Sequence, residues 1–212
     1  MSIELKEETL NKMNNLSFSP YLEEMRVYAK ENNVPIIMDD GLAFLITLCK
    51  IKNPKKILEI GTAIGYSASV MALNTNAEVY TIERNEQMEQ CAIKNVNELG
   101  LNDRIHLIYN DALLSYDDVK DHKFDIIFID AAKAQYTNFF NLYSPLLNED
   151  GIIITDNMLF HGVTMEDAKS RAVRGLIRKL NNYTDFLLSH EEYDTKIFNI
   201  GDGMAVSTKK QK

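Results

Sequence analysis

From residue 56 onward, short apolar runs alternate with stretches of helical period. Ile57-Leu58-Glu59-Ile60 is the first run, and Glu78 to Glu83, Ile105 to Tyr109, Phe124 to Asp130 and Gly151 to Asn157 follow it. Phe124-Asp125-Ile126-Ile127-Phe128-Ile129 is nearly all apolar, which suits a strand buried on both faces. Asn85 to Leu99 reads as a helix that Gly100 closes with a left-handed cap. Gln135 to Leu147 and Asp167 to Asn182 read as two more helices. Two late runs, Lys196 to Ile200 and Met204 to Ser207, flank Gly201-Asp202-Gly203. Strands alternating with helices predict an α/β fold with a parallel, doubly wound sheet.

Residues 3 to 50 carry helical periodicity only. Ser19 and Pro20 form an N-cap and N1 pair for a helix to about Asn32. Pro35 interrupts the pattern. Asp39 or Asp40 can cap a further helix, Leu42 to Lys50, with Leu42, Leu45, Ile46 and Cys49 on one face. One domain over residues 1–212 is expected, with a helical N-terminal extension (1–50) and an α/β core (51–208).

Composition narrows the partners. The chain has 212 residues, 45% hydrophobic and 25% charged, as in globular domains with a sizeable core. Its net charge of -8 argues against indiscriminate nucleic-acid binding. No apolar run approaches the roughly 20 residues of a membrane span. The first eight residues are polar and acidic, without a signal-peptide pattern. No membrane partner and a cytoplasmic location are expected. Cys49 and Cys91 lie in apolar helical patterns and read as buried free thiols of a reducing compartment.

The stretch Lys55 to Ala68 organises the chemistry. An apolar run, an acid and two glycines four apart give a strand, a tight turn and a helix start, the layout of nucleotide-binding α/β proteins. Gly61 and Gly65 allow positive φ or close backbone approach to a ligand. The spacing is G-x-x-x-G, so the dinucleotide fingerprint G-x-G-x-x-G is absent. Ligands of such sheets bind at the carboxyl ends of the strands. Those ends carry Glu59, Glu83, Asp111, Asp130 and Asp156-Asn157. One acid after a strand is more often a helix cap than a ligand, but five in five exceed capping alone. Glu83, 22 residues after Gly61, stands where an acid takes both ribose hydroxyls. An anionic cradle repels a pyrophosphate and welcomes a cationic sulfonium.

Asp130, Asp156 and Asn157 are oxygen donors with His161 as the only nearby nitrogen candidate. That set suits magnesium, or manganese or calcium; the alternative is a pair of helix N-caps. Lys133 is either a salt-bridge partner or a general base whose pKa burial and nearby charge depress.

Ile129-Asp130-Ala131-Ala132-Lys133-Ala134-Gln135-Tyr136 resembles the D-x-x-K-x-x-Y signature of cation-dependent O-methyltransferases of the catechol and caffeoyl-CoA type. Thr155-Asp156-Asn157 resembles their second metal motif. Glu59-Ile60-Gly61-Thr62-Ala63-Ile64-Gly65 resembles motif I of class I S-adenosylmethionine-dependent methyltransferases. Asp111-Ala112 resembles the position that holds the adenine, and Gly201-Asp202-Gly203 the late D-G before the final strand. The resemblance spans about residues 35 to 208. It implies a Rossmann-like, mostly parallel seven-stranded sheet with helices on both faces. It also implies magnesium on Asp130, Asp156 and Asn157, and Lys133 with Asp130 as the catalytic pair. Met38, Glu59, Gly61, Ser67, Glu83, Asp111, Ala112 and Asp130 would line the S-adenosylmethionine site. A homodimer is expected. The chain has no Trp, so any aromatic wall falls to Tyr66, Tyr136 or Phe160.

The acceptor must offer two vicinal oxygens, as a catechol or 5-hydroxyuridine does. Lys169, Arg171, Arg174, Arg178 and Lys179 place five positive charges in eleven residues without an acid. Arg171, Arg174 and Arg178 share one helix face. The tail residues Lys209, Lys210 and Lys212 add charge and read as disordered. In length, helical N-terminus and Arg-rich helix the chain is similar to a bacterial subgroup that methylates 5-hydroxyuridine in the tRNA anticodon. Expected partners are therefore tRNA, contacted by Arg171, Arg174, Arg178 and Lys179, or a catechol-like small molecule.

Overall fold

The structure is a computed structural model that describes residues 19–159 and 162–211. Phe160, His161, Lys212 and the helical pattern before Ser19 lie outside the described residues.

Seven strands form one sheet in the order β3-β2-β1-β4-β5-β7-β6. They are β1 (Lys56–Ile60), β2 (Glu78–Glu83), β3 (Ile105–Tyr109), β4 (Phe124–Ile129), β5 (Leu147–Thr155), β6 (Tyr193–Phe198) and β7 (Met204–Lys209). The first five run parallel, and β7 pairs antiparallel with both β5 and β6. The helices are α1 (Pro20–Glu31), α2 (Asp39–Lys52), α3 (Tyr66–Asn74), α4 (Glu86–Glu98), α5 (Tyr116–Val119), α6 (Tyr136–Tyr143) and α7 (Arg171–Ser189).

Strand alternation divides the core in two. Ile57, Val79, Ile126 and Ile154 point to the layer that holds α1, α2 and α3. Leu58, Ile127, Ile129 and Ile153 point to the layer of α6 and α7. Leu22, Met25, Leu42 and Leu45 pack in the same apolar cluster as Ile57 and Met204. The two N-terminal helices are thus a layer of the domain rather than an appendage. Among the described residues no helix is long and apolar enough to cross a membrane.

Several element ends differ from expectation. Ser19 caps α1 and accepts from the Leu22 N–H, with Pro20 at N1. Met38, not Asp39 or Asp40, occupies the N-cap of α2 and makes no side-chain cap bond. Both aspartates sit in the first turn, where the helix dipole favours acids. Their carboxylates serve other groups: Asp39 takes Arg26 at 2.5 and 2.7 Å, and Asp40 takes the N–H groups of Gly41 and Gly201 at 2.9 Å. The expected helix Gln135 to Leu147 is a 3-10 turn (Lys133–Gln135), α6 and a second 3-10 turn (Ser144–Leu146). Pro145 has no N–H with which to extend the helix. Strand β5 therefore begins at Leu147. The Ser170 hydroxyl accepts from the Val173 N–H at 3.2 Å and starts α7 there. Asp167 and Lys169 fall before the helix, and Asp167 takes the Thr164 hydroxyl at 2.6 Å. Lys209 ends β7 in an ion pair with Glu149 at 3.0 Å instead of fraying. Cys49 is buried, whereas Cys91 is partly exposed; both are free.

Candidate functional site

The strand order reverses between β1 and β4, and their carboxyl ends open a crevice there. Gly61 follows β1 with φ 104°, and its N–H donates to the Ile82 carbonyl at 3.1 Å. A Cβ on Gly61 would stand 2.0 Å from the Asp130 carbonyl oxygen, so only glycine lets the two strand ends close up. Gly65, φ 78°, then starts α3. Above this floor lies a cleft of about 630 Å³. It is walled on the helical side by Val34 to Met38, the segment between α1 and α2.

Along the strand ends the cleft is acidic. Glu83 lines it, held by the backbone: Ala63 N–H donates to Oε2 at 2.8 Å, and the N–H groups of Arg84 and Asn85 to Oε1 at 2.9 and 2.8 Å. Asp111 and Ala112 line it beside β3. The Leu113 N–H and the Arg84 guanidinium, at 2.9 and 3.1 Å, keep the Asp111 carboxyl below its ordinary range. Asp130, Lys133, Asp156 and Asn157 line the part beyond β4 and β5. Gly61, Ser67 and Met38 line it as well.

Glu59 does not line the cleft. It is fully buried beneath the turn, where Ser67 Oγ and Thr81 Oγ1 each donate to its carboxyl at 2.5 Å. Thr62 Oγ1 extends the chain at 2.6 Å from Thr81 Oγ1. Burial pushes the Glu59 carboxyl up to about 8; the two hydroxyls pull it back, and Asp130 and Glu83 add to the rise. Between about pH 4.5 and about pH 8 the folded chain therefore holds a proton that the unfolded chain has released. Stability of the cofactor-free protein should fall as pH rises through that window and level off above it. The urea midpoint, followed across the window, checks this; Glu59→Gln should make the slope shallower and remove it near pH 8, while the raised Asp130 and Asp156 carboxyls keep a slope at lower pH. An equally steep slope in the variant assigns it to another group.

Asp130 and Asp156 are forced together. Burial raises both carboxyl pKa values, Lys133 lowers both, and Asp130 raises that of Asp156 further. The Asn157 N–H donates to Asp156 Oδ1 at 2.6 Å, and its side-chain amide to Asp130 Oδ1 at 2.8 Å. Asn157 takes φ 62°, a left-handed backbone that asparagine tolerates. Tyr136 lies outside the cleft wall; its buried hydroxyl donates to the Asp156 carbonyl at 3.0 Å. Tyr66 and Phe139 supply the aromatic lining. Burial lowers the Lys133 pKa while Asp130, Asp202 and Asp156 oppose it. Among the described residues no group of three or more His, Cys, Asp and Glu side chains is gathered around one point. Two carboxylates and an amide nevertheless form a hard oxygen set whose excess negative charge fits a divalent cation.

Three features were not read from the sequence as site residues. Asp202 lines the cleft and is buried; its setting between two glycines was the available signal. Arg84 pairs with Asp111, and Val34 to Ile37 form a wall; neither carries a motif. In the other direction, Arg171, Arg174, Arg178 and Lys179 are exposed on α7 and outside the cleft.

Residues 8–210 match the family model described as O-methyltransferase. The chain is 30% identical over 196 residues to a flavonoid 3',5'-methyltransferase of Vitis vinifera, covering 86% of this chain and 81% of the relative. It is 28% identical over 193 residues to a caffeoyl-CoA O-methyltransferase of Populus kitakamiensis, covering 84% and 80%. A solved Staphylococcus aureus structure, provisionally named a caffeoyl-CoA O-methyltransferase, superposes with a TM-score of 0.88 at 40% identity over 95% of this chain and 96% of that one. With its motif I turn, its acidic strand ends and a family match across nearly its whole length, the chain belongs to the O-methyltransferase family and is an S-adenosylmethionine-dependent methyltransferase.

Proposed function

We propose that the enzyme methylates the 5-hydroxyl of 5-hydroxyuridine in the tRNA anticodon, giving 5-methoxyuridine, with magnesium held by Asp130, Asp156 and Asn157. The observation that carries the chemistry is that Lys133, the buried Asp156 and the partly buried Asp130 line one part of the cleft, beyond β4 and β5. Glu83 and Asp111 stand across the switch point, beyond β2 and β3. A cofactor whose ribose lies on Glu83 and whose adenine lies by Asp111 would bring its sulfonium toward Gly61 and Asp130. Bound magnesium would supply Lewis-acid stabilisation of an ionised acceptor oxygen. Lys133 stands to take the hydroxyl proton or to neutralise the oxyanion. The oxygen then forms a bond to the methyl carbon as the carbon–sulfur bond breaks, leaving neutral S-adenosylhomocysteine. The Val34 to Met38 wall and the aromatic lining of Tyr66 and Phe139 would help to hold the two reactants in line.

The basic helix favours RNA as the acceptor. Ile177, Leu180, Tyr183 and Leu187 bury one face of α7. Arg171, Arg174 and Arg178 fall on the opposite, exposed face. The helix packs on the Lys133–Gln135 turn, beside the acceptor end of the cleft. Similarity to a flavonoid methyltransferase favours a second reading, in which a catechol-like small molecule is the acceptor. Mass spectrometry of tRNA nucleosides from cells lacking the protein should show loss of 5-methoxyuridine. Arg174→Glu with Arg178→Glu should cut methylation of 5-hydroxyuridine tRNA at least about tenfold and flatten its salt dependence, while catechol methylation holds. Equal losses on both acceptors would make α7 a structural element only.

A further inference from the structure

The loop after β3, residues 110–115, is bonded largely to itself. The Asp111 N–H donates to Asn110 Oδ1 at 2.8 Å, and the Leu113 N–H to Asp111 Oδ1 at 2.9 Å. The Leu114 N–H and the Ser115 hydroxyl donate to the Asp111 carbonyl at 2.7 and 3.0 Å. Bonds of this kind give the loop a shape but do not fix where that shape stands. Toward β2 it is tied by the Asn110 N–H on the Glu83 carbonyl at 2.9 Å and by the Arg84–Asp111 pair. That pair is exposed at the arginine, where water and salt weaken it.

A further tie comes from the helical layer. The Tyr143 hydroxyl, on α6, donates to the Ala112 carbonyl at 2.6 Å. Tyr143 is fully buried and does not line the cleft, whereas Asp111, Ala112 and Leu113 do. The same helix face carries a second hydroxyl seven residues earlier, that of Tyr136 on the Asp156 carbonyl. Seven residues are about 10 Å of helix, so the two hydroxyls serve opposite ends of the cleft. Phe139, between them, lines the cleft and shares an apolar cluster with Ala112 and Tyr143.

We propose that Tyr143 is a positioning residue for the cofactor: its hydroxyl, through the Ala112 carbonyl, sets the loop that receives the adenine. This rests on the reading that the adenine lies by Asp111 and Ala112. Without the hydroxyl, a buried acceptor loses its donor, and the loop shifts to reach water. Cofactor binding must then restore the loop's position, which lowers affinity. Tyr143 thus governs how tightly the cofactor is held and leaves the methyl-transfer step alone.

The test compares Tyr143→Phe, Tyr136→Phe and Asp111→Ala. Dissociation constants are measured by calorimetry for S-adenosylmethionine and for 5′-methylthioadenosine, which carries the adenine and ribose but not the amino-acid tail. Tyr143→Phe should weaken both about tenfold, by the same factor, and speed amide hydrogen exchange at Leu113 and Leu114. Its kcat at saturating cofactor, on caffeic acid and 5-hydroxyuridine tRNA in parallel, should stay within about twofold of the parent while KM for the cofactor rises. Tyr136→Phe removes the corresponding hydroxyl at the other end of α6 and should leave both dissociation constants within about twofold. Phenylalanine keeps the ring in its cluster; should Tyr143→Phe not fold, the flexible side chain of Tyr143→Met fills the space with the same expected effects. Unchanged dissociation constants in Tyr143→Phe, a loss for S-adenosylmethionine without one for 5′-methylthioadenosine, or equal weakening by Tyr136→Phe would each overturn the proposal. Parent affinity for both ligands in Asp111→Ala would instead overturn the placement of the adenine on which it rests.

Discussion

Asp156→Ala should lower turnover by about three powers of ten or more, the scale of several kcal/mol of lost transition-state stabilisation expected of the proposed magnesium site. Asp156 lines the cleft with one carboxyl oxygen on the Asn157 N–H. Losing the side chain removes half of the paired carboxylates. It keeps the backbone carbonyl that accepts the Tyr136 hydroxyl, so the local packing survives. Glu83 and Asp111, on the far side of the switch point, are untouched. Cofactor binding by calorimetry should therefore stay close to that of the parent, while added magnesium no longer raises the rate. Turnover equal to the parent, with the same response to magnesium, would remove Asp156 from the metal assignment. A parallel loss of cofactor affinity would mean that the carboxyl supports the floor of the cleft instead.

Lys133→Ala should cost about two to four powers of ten in kcat, the range for a positioned proton acceptor or its electrostatic equivalent. Burial lowers the Lys133 pKa, and the nearby acids, Asp130 first among them, oppose that shift only in part. An ammonium that burial disfavours gives up its proton more readily than an exposed one. Arginine keeps the charge but does not release a proton. Partial activity in Lys133→Arg would indicate that charge alone carries much of the effect, and none that proton transfer does. An unimpaired Lys133→Ala would return the residue to the role of a salt-bridge partner.

The parts of the site legible in the sequence were those bound to strand ends. Glu83, Asp111, Asp130 and Asp156 each close an apolar run, and a parallel sheet brings such ends to one edge whatever the loops do. Gly61 was legible because the approach of Asp130 tolerates no side chain. Glu59 was legible as an acid out of place but not in its direction. It sits inside β1, one residue short of the end, and the pleat turns it under the floor toward Ser67 and Thr81. Asp40 was read as a helix cap because local rules favour that use, whereas its partner Gly201 lies 161 residues away. Asp202 owes its place to the pairing of β7 with β5, which no local pattern announces. The length of α6 was misread because the apolar spacing runs on past Pro145, where the backbone cannot follow.

Strand β7 lies between β5 and β6, so a late segment of the chain fills an interior lane of the sheet. During synthesis, β5 must stand with a bare hydrogen-bonding edge until residues 204–209 emerge. Its apolar Ile152-Ile153-Ile154 would meanwhile invite foreign strands. The same insertion delivers Asp202 to the wall of the cleft that Lys133 also lines. Acquisition of activity and removal of the aggregation-prone edge therefore coincide, and a ribosome-stalled chain ending before Met204 should be both inert and dependent on chaperones.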